Sequence, residues 1–183
     1  SVNKFLRFRE NIYLYLIFFI FFVIFSWMSF SKINNFGITF YDTGYYANLL
    51  ENDPFKYLTN NHLSYILAPL SILTKILPWH ILDELFIIQI LAGLSPIFFF
   101  KKNYFLIFAY CLCPIVWFNI LPNFHIDILA IPIIWFLIKA NDEQKYILFF
   151  ILSILLVSIK FFFFAIIFGF LLFNFFEKKN LFL

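Results

Sequence analysis

The sequence predicts an all-α fold: a polytopic membrane helix bundle of about six transmembrane helices, with interfacial helices in its first outer loop. Three observations predict it. Of the 183 residues, 64% are hydrophobic and 32 are Phe, where a soluble domain has roughly 45–50% apolar residues. The apolar residues come in long runs, several near the ~20 residues that cross a bilayer. The charges fall mostly between those runs. Residues 1–183 read as one membrane domain. The opening Ser1 and the apolar triplet after Glu177-Lys178-Lys179 suggest a processed, trimmed or partial chain.

The first span is expected from about Ile12 to Phe30, after Lys4, Arg7 and Arg9. It is too long for a signal-peptide core and has no small-residue cleavage site, so it reads as a retained helix. Residues 31–80 form the one long loop. In it, Tyr45 to Leu50 suits a helical turn or two, ended by Asn52-Asp53-Pro54. His62 to Leu77 is apolar, interrupted by Pro69 and closed by Pro78. That length fits an interfacial or re-entrant helix pair better than a span. The second span runs from about Ile81 to Phe100 and stops at Lys101-Lys102, with Asp83-Glu84 where a helix dipole favours acids. The third is Tyr104 to about Phe118, carrying Pro114, and the fourth Ile126 to Ile138, stopping at Lys139.

Tyr146 to Phe176 is long for one span and short for two. A single tilted helix would bury Lys160 near mid-membrane at roughly 2.5–3.5 kcal/mol. A hairpin turning at Lys160 avoids that cost with two helices of about 14–16 residues, or ~21–24 Å each. The hairpin is the expectation: a fifth span Tyr146–Ile159 and a sixth Phe161–Phe176.

With the N-terminus cytoplasmic, the inner segments hold Lys4, Arg7, Arg9, Lys101, Lys102, Lys139, Lys145, Lys178 and Lys179, nine of the 13 basic residues. This is a positive-inside distribution, expected of a bacterial inner (plasma) membrane protein. The net charge of +3 thus reports topology, and no nucleic-acid partner is expected. Cys111 and Cys113 stand about 200° apart on a helix and read as small buried hydrophobes, with no disulfide or metal framework.

This topology collects Asp42, His62, His125, Asp127 and Lys160 on the outer face, delivered by four segments. Ionisable groups at membrane depth usually line a cavity or pathway. Each has a plainer alternative. Asp42, in YDTGYY, is a favoured helix N-cap; His62 suits an interfacial position; His125 and Asp127 suit a polar loop capping the fourth span; Lys160 can snorkel to headgroups. A carboxylate near an imidazole or ammonium can also act as a general base or hold a metal, and a lysine can clamp a phosphate.

The ordered segments YDTGYYANLL (Tyr41–Leu50), NHLSYILAPLSIL (Asn61–Leu73), IIQILAGLSPIFF (Ile87–Phe99), CPIVWFNILPNFHIDILAIP (Cys113–Pro132) and LLVSIK (Leu155–Lys160) resemble the bacterial and archaeal membrane family called domain of unknown function 2079. The resemblance runs from about Thr39 to Gly169, and because that family is usually longer it implies that this chain is an N-terminal portion. The chain departs from that pattern at Asn123, where the family has an acid, at Ile126, where it has Pro, and at Phe161-Phe162, where it has Glu-Asp.

That family is similar in layout to the GT-C glycosyltransferases, which draw sugars from polyprenyl-phosphate donors. The resemblance implies a GT-C-like transferase at the outer membrane face, with Asp42 as catalytic base. Lys160 would hold the lipid phosphate, and His125, His62 and Asp127 would line the substrate and lipid site. The implied partners are membrane lipid and a polyprenyl-phosphate sugar. The implied cofactor is none, or a divalent cation. The alternative is a non-catalytic lipid or solute carrier, a membrane subunit or an inactive fragment.

Overall fold

The computed structural model of this chain describes residues 2–36, 41–52, 66–77, 79–100, 103–121 and 124–180, without the side chains of 2–10, 32–36, 41–42, 52, 118–119 and 175–180. Among the described residues all regular structure is helical. The helices are α1 (Val2–Phe36), α2 (Tyr41–Asn52), α3 (Leu67–Ile76), α4 (Ile81–Leu94), α5 (Tyr104–Leu112), α6 (Pro114–Ile120), α7 (Ala130–Asp142), α8 (Tyr146–Ile159) and α9 (Phe164–Asn180). Short 3-10 turns at Ser95–Phe98, Ile126–Leu129 and Phe161–Phe163 join some of them.

α4 is the axis of the bundle. Leu85, Ile90 and Leu94 are fully buried on it, on more than one face. Leu85 joins a cluster with Leu50, Phe124, Leu137, Leu156 and Ile159. Ile90 and Leu94 join a second cluster with Phe25, Ile107 and Ile120. α1 lies against α4 with one stripe only: Phe21, Phe25 and Ser29, four residues apart, are buried while Phe19 and Trp27 are exposed. The Phe18 ring sits 4.8 Å from that of Phe98, past the C-terminal end of α4. From there the buried stripe runs back along α4, so the two helices are antiparallel. At Gly93 an added Cβ would lie 2.6 Å from both Cγ1 and Cδ1 of Ile120. The missing side chain is what lets α6 approach α4 so closely.

Among the described residues two helical stretches are long and apolar enough to cross a membrane: Asn11–Ser31, of 21 residues and mean hydropathy 2.3, and Ile81–Phe98, of 18 residues and mean hydropathy 1.8. Six were expected. Leu67–Ile76, Tyr146–Ile159 and Phe161–Asn174 are apolar but shorter. The largest departure is the third expected span, which is two helices. Chain direction breaks at Cys113, whose ψ is 122°. Pro114 disfavours the α conformation in the residue before it and starts α6 as a first-turn proline. Trp117 Nε1 reaches across the break to donate to the Cys111 carbonyl at 2.5 Å, satisfying one of the carbonyls that α5 leaves open at its end.

Three smaller corrections have local causes. Pro69 does not interrupt a helix: it falls in the first turn of α3, where the missing N–H has no intrahelical partner to lose. α7 continues past Lys139 to Asp142, and Lys139 sits in its last turn, where a cation suits the dipole. α2 begins at Tyr41, so the backbone of Asp42 lies within its first turn and not before it.

The hairpin expected after Tyr146 is present. α8 ends at Ile159, and Lys160 is extended (φ −151°, ψ 137°). The Phe149 and Phe170 rings meet at 6.4 Å, pairing residues on either side of that apex. At the far end of the hairpin, Asn141 on α7 and Asn174 on α9 exchange hydrogen bonds through their side-chain amides (2.5 and 3.4 Å).

Candidate functional site

Three of the segments singled out in the sequence converge on the short stretch Phe124–Asp127, and a fourth is tied beside them. From α2, the buried Thr43 hydroxyl accepts from the Phe124 N–H at 3.0 Å, and the Tyr46 ring meets the Phe124 ring edge-on at 5.6 Å. From α4, Gln89 Oε1 accepts from the His125 N–H at 3.0 Å, while Gln89 Nε2 donates to the Ile120 carbonyl at 2.5 Å. From the hairpin apex, Lys160 Nζ donates to Asp127 Oδ2 at 2.5 Å. The Ile66 N–H donates to the Ser158 carbonyl at 3.2 Å, which ties the start of α3 to the end of α8 beside Lys160.

Local sequence explains why this stretch needs clamping. The Phe124 and His125 amides, just before the Ile126–Leu129 turn, belong to no helical ladder, and buried backbone groups need partners. Gln89, wholly buried, has one acceptor and two donors on a short stem. It meets a carbonyl on one side of the loop and an amide on the other. Thr43 supplies the next partner along. Asp42 and His125 are each one residue from the Thr43–Phe124 bond, so the backbone of α2 carries Asp42 to the edge of this junction.

His125 and Asp127 line a cavity of about 550 Å³ together with Tyr110, Ile120, Ile128 and Ile131. Tyr110 is oriented by donating its hydroxyl to the Gly93 carbonyl at 2.5 Å. The His125 side chain is exposed. Asp127 is divided in function: Oδ2 holds the lysine, whereas Oδ1 is buried and accepts no hydrogen bond. A buried acceptor left without a donor costs about 1–3 kcal/mol, so this oxygen favours a ligand that brings an N–H or O–H. The Lys160–Asp127 pair itself is half-exposed (47% and 42%). Such pairs contribute at most about 1 kcal/mol to stability, so its value is in holding an ammonium at the apex with two N–H donors to spare.

Of the five residues expected at the site, His125, Asp127 and Lys160 come together here. Asp127 is the direct partner of Lys160. Asp42 reaches the junction by its backbone, and its side chain lies outside the description; His62 lies outside the described residues altogether. Sequence reasoning assigned no role to Gln89 and Thr43. A lone amide in the apolar run IIQIL was the available signal, since a buried Gln must find partners. Among the described residues no three His, Cys, Asp or Glu side chains gather as a metal site. Among the described side chains, His125 and Asp127 are the two that could contribute to such a site here, and Asp127 Oδ2 is already engaged by the Lys160 ammonium.

Comparison with protein-family models, curated proteins and solved structures finds no match to this chain.

Proposed function

We propose that the chain is a polytopic inner-membrane protein of GT-C-like architecture that binds a phosphate-linked lipid at this junction. In this reading it transfers a sugar from a polyprenyl-phosphate donor at the outer membrane face, with its N-terminus cytoplasmic. The observation that carries the reading is the convergence on Phe124–Asp127 of the α2, α4 and hairpin-apex segments through Thr43, Gln89 and Lys160. One cation, one carboxylate oxygen lacking a donor and one exposed imidazole share a compact region. This set suits a phosphate, a sugar hydroxyl and a proton carrier respectively. The hairpins and shorter apolar helices, α3, α8 and α9, would complete the expected membrane part.

The reaction follows from the assigned roles. The acceptor oxygen attacks the anomeric carbon of the donor sugar, and its proton passes to the Asp42 carboxylate. The bond from that carbon to the phosphate oxygen breaks. Lys160 meets the charge that gathers on the leaving phosphate, and Asp127 Oδ1 receives a sugar hydroxyl. Positioning and charge stabilisation supply most of the acceleration. No organic cofactor enters.

The test is a lipid-linked sugar transfer assay on the purified chain. Asp42→Asn should lower the rate by about 10²–10⁴, the range for losing a general base, with donor binding retained. Lys160→Ala should lower donor affinity. Transfer at the wild-type rate in Asp42→Asn overturns the enzymatic reading. Lipid movement between leaflets that survives Asp42→Asn but not Lys160→Ala would instead establish a carrier.

A further inference from the structure

We infer that the α8–α9 flank of the chain thins the bilayer around it, while the α1 flank fits a bilayer of full thickness. The inference rests on the reading of the α8–α9 hairpin as a membrane-crossing pair. It goes beyond the transferase reading and makes no use of it.

The two flanks differ in length. The apolar stretch Asn11–Ser31 of α1 has 21 residues, or ~31 Å at 1.5 Å each. That matches a hydrocarbon core of ~30 Å, and Tyr15, Phe19 and Trp27 are exposed along it. α8 has 14 residues, YILFFILSILLVSI, with no charge among them. Its length is ~21 Å, and Ile147, Phe150 and Ile154 are exposed along it. The apolar stretch of the other limb, Phe161–Asn174, is also too short to cross a bilayer of ordinary thickness. The flanks pack into different parts of the core. Phe21 and Phe25 of α1 belong to one cluster, and Leu156, Phe163 and Ile167 of the hairpin to the other.

Charges mark both edges of the short band. Lys145 precedes α8 and Lys160 follows it, roughly 22 Å apart along the helix axis, and both are exposed. Rings stand beside each: Tyr146 next to Lys145, Phe161 and Phe162 next to Lys160, all exposed. A span shorter than its bilayer is accommodated by snorkelling lysines, by oligomerisation or by thinning. Snorkelling is limited because each ammonium is already held, Lys145 by Glu143 at 2.6 Å and Lys160 by Asp127. Pairing with a second copy would leave the joined perimeter as short as before, and tilting the hairpin would shorten it further. Thinning removes the mismatch. It also brings the phosphates of the surrounding lipids down to the level of the apex ammonium.

The experiment uses the full chain with Cys111 and Cys113 changed to Ala, carrying one nitroxide per protein. The protein is reconstituted in phosphatidylcholine bilayers with chains of fourteen, eighteen or twenty-two carbons. Relaxation by oxygen and by a water-soluble nickel chelate reads the depth of each label. Ile12→Cys and Trp27→Cys stand ~22 Å apart on α1, and Ile147→Cys and Phe161→Cys about as far apart on the hairpin. These positions are 47%, 70%, 80% and 78% exposed, so folding should tolerate all four. In eighteen-carbon bilayers the two α1 depths below the hydrocarbon boundary should sum to about 8 Å, the remainder of a ~30 Å core. That sum should grow with chain length. The two hairpin depths should sum to near zero at every chain length. Equal sums on the two flanks overturn the thinning and leave the hairpin crossing the membrane. A label at Ile151→Cys reached by neither oxygen nor nickel marks a face covered by a second copy, which also overturns it. A label there reached freely by nickel shows a hairpin outside the membrane and removes the reading on which the inference rests.

Discussion

Gln89 is where stability and site geometry can be tested together. It is wholly buried, and both ends of its amide are engaged, one by the Ile120 carbonyl and one by the His125 N–H. Gln89→Met keeps the volume and removes both bonds. Two buried backbone groups then lose their partners at about 1–3 kcal/mol each, on the order of 2–6 kcal/mol for the pair. Gln89→Glu keeps an acceptor for the His125 N–H but, when ionised, offers no donor to the Ile120 carbonyl, so it should still destabilise. Gln89→Ala adds a cavity to the loss of both bonds and should be the worst of the three. Tryptophan fluorescence can follow denaturation of the detergent-solubilised protein, because Trp117 lies close to the affected loop. Hydrogen exchange at the His125 amide gives a local readout. The same variants should bind a polyprenyl-phosphate donor less well, because Phe124–Asp127 no longer presents Asp127 to Lys160. A Gln89→Met protein that loses less than about 1 kcal/mol, the net worth of a single ordinary hydrogen bond, with the His125 amide still protected, would refute the clamp.

Three further predictions concern packing and sidedness. Gly93→Ala should destabilise: overpacking against Ile120 costs about 1–3 kcal/mol and exceeds the ~1 kcal/mol regained from helix propensity. In an Ile120→Ala background the same change should become stabilising, a reversal visible in a double-mutant cycle. Asn141→Leu alone should cost about 1–3 kcal/mol by stranding the Asn174 amide, and adding Asn174→Leu should recover most of it in denaturation curves. In a chain with Cys111 and Cys113 changed to Ala, a membrane-impermeant thiol reagent applied outside intact cells should label Lys160→Cys and not Glu143→Cys. The opposite pattern would invert the proposed orientation.

Much of the fold was legible because hydrocarbon runs and charges are direct signals of burial and water. α8 begins and ends at the residues expected, and the chain turns at Lys160. The elements that were misread are those governed by proline context. Pro114 splits a hydropathy peak into two helices, and Pro69 is absorbed into a first turn; hydropathy alone distinguishes neither case. Of the candidate site, the sequence showed the charges and not their pairing. Asp127 and Lys160 are 33 residues apart in sequence and meet in space, but pairing at that separation leaves no local trace. Thr43 and Gln89 carried even less signal, because a clamp is defined by the backbone it holds.

The α8–α9 hairpin is held at its extremes by polar contacts to its neighbours, Lys160 on Asp127 at the apex and Asn174 on Asn141 of α7 at the base, with the Phe149 and Phe170 rings meeting between them. Such a frame resembles a bow strung at both tips. A load on α9 should bend the helix before it breaks either pin. Loosening the base, far from any reacting group, would then change how firmly the apex holds its ammonium.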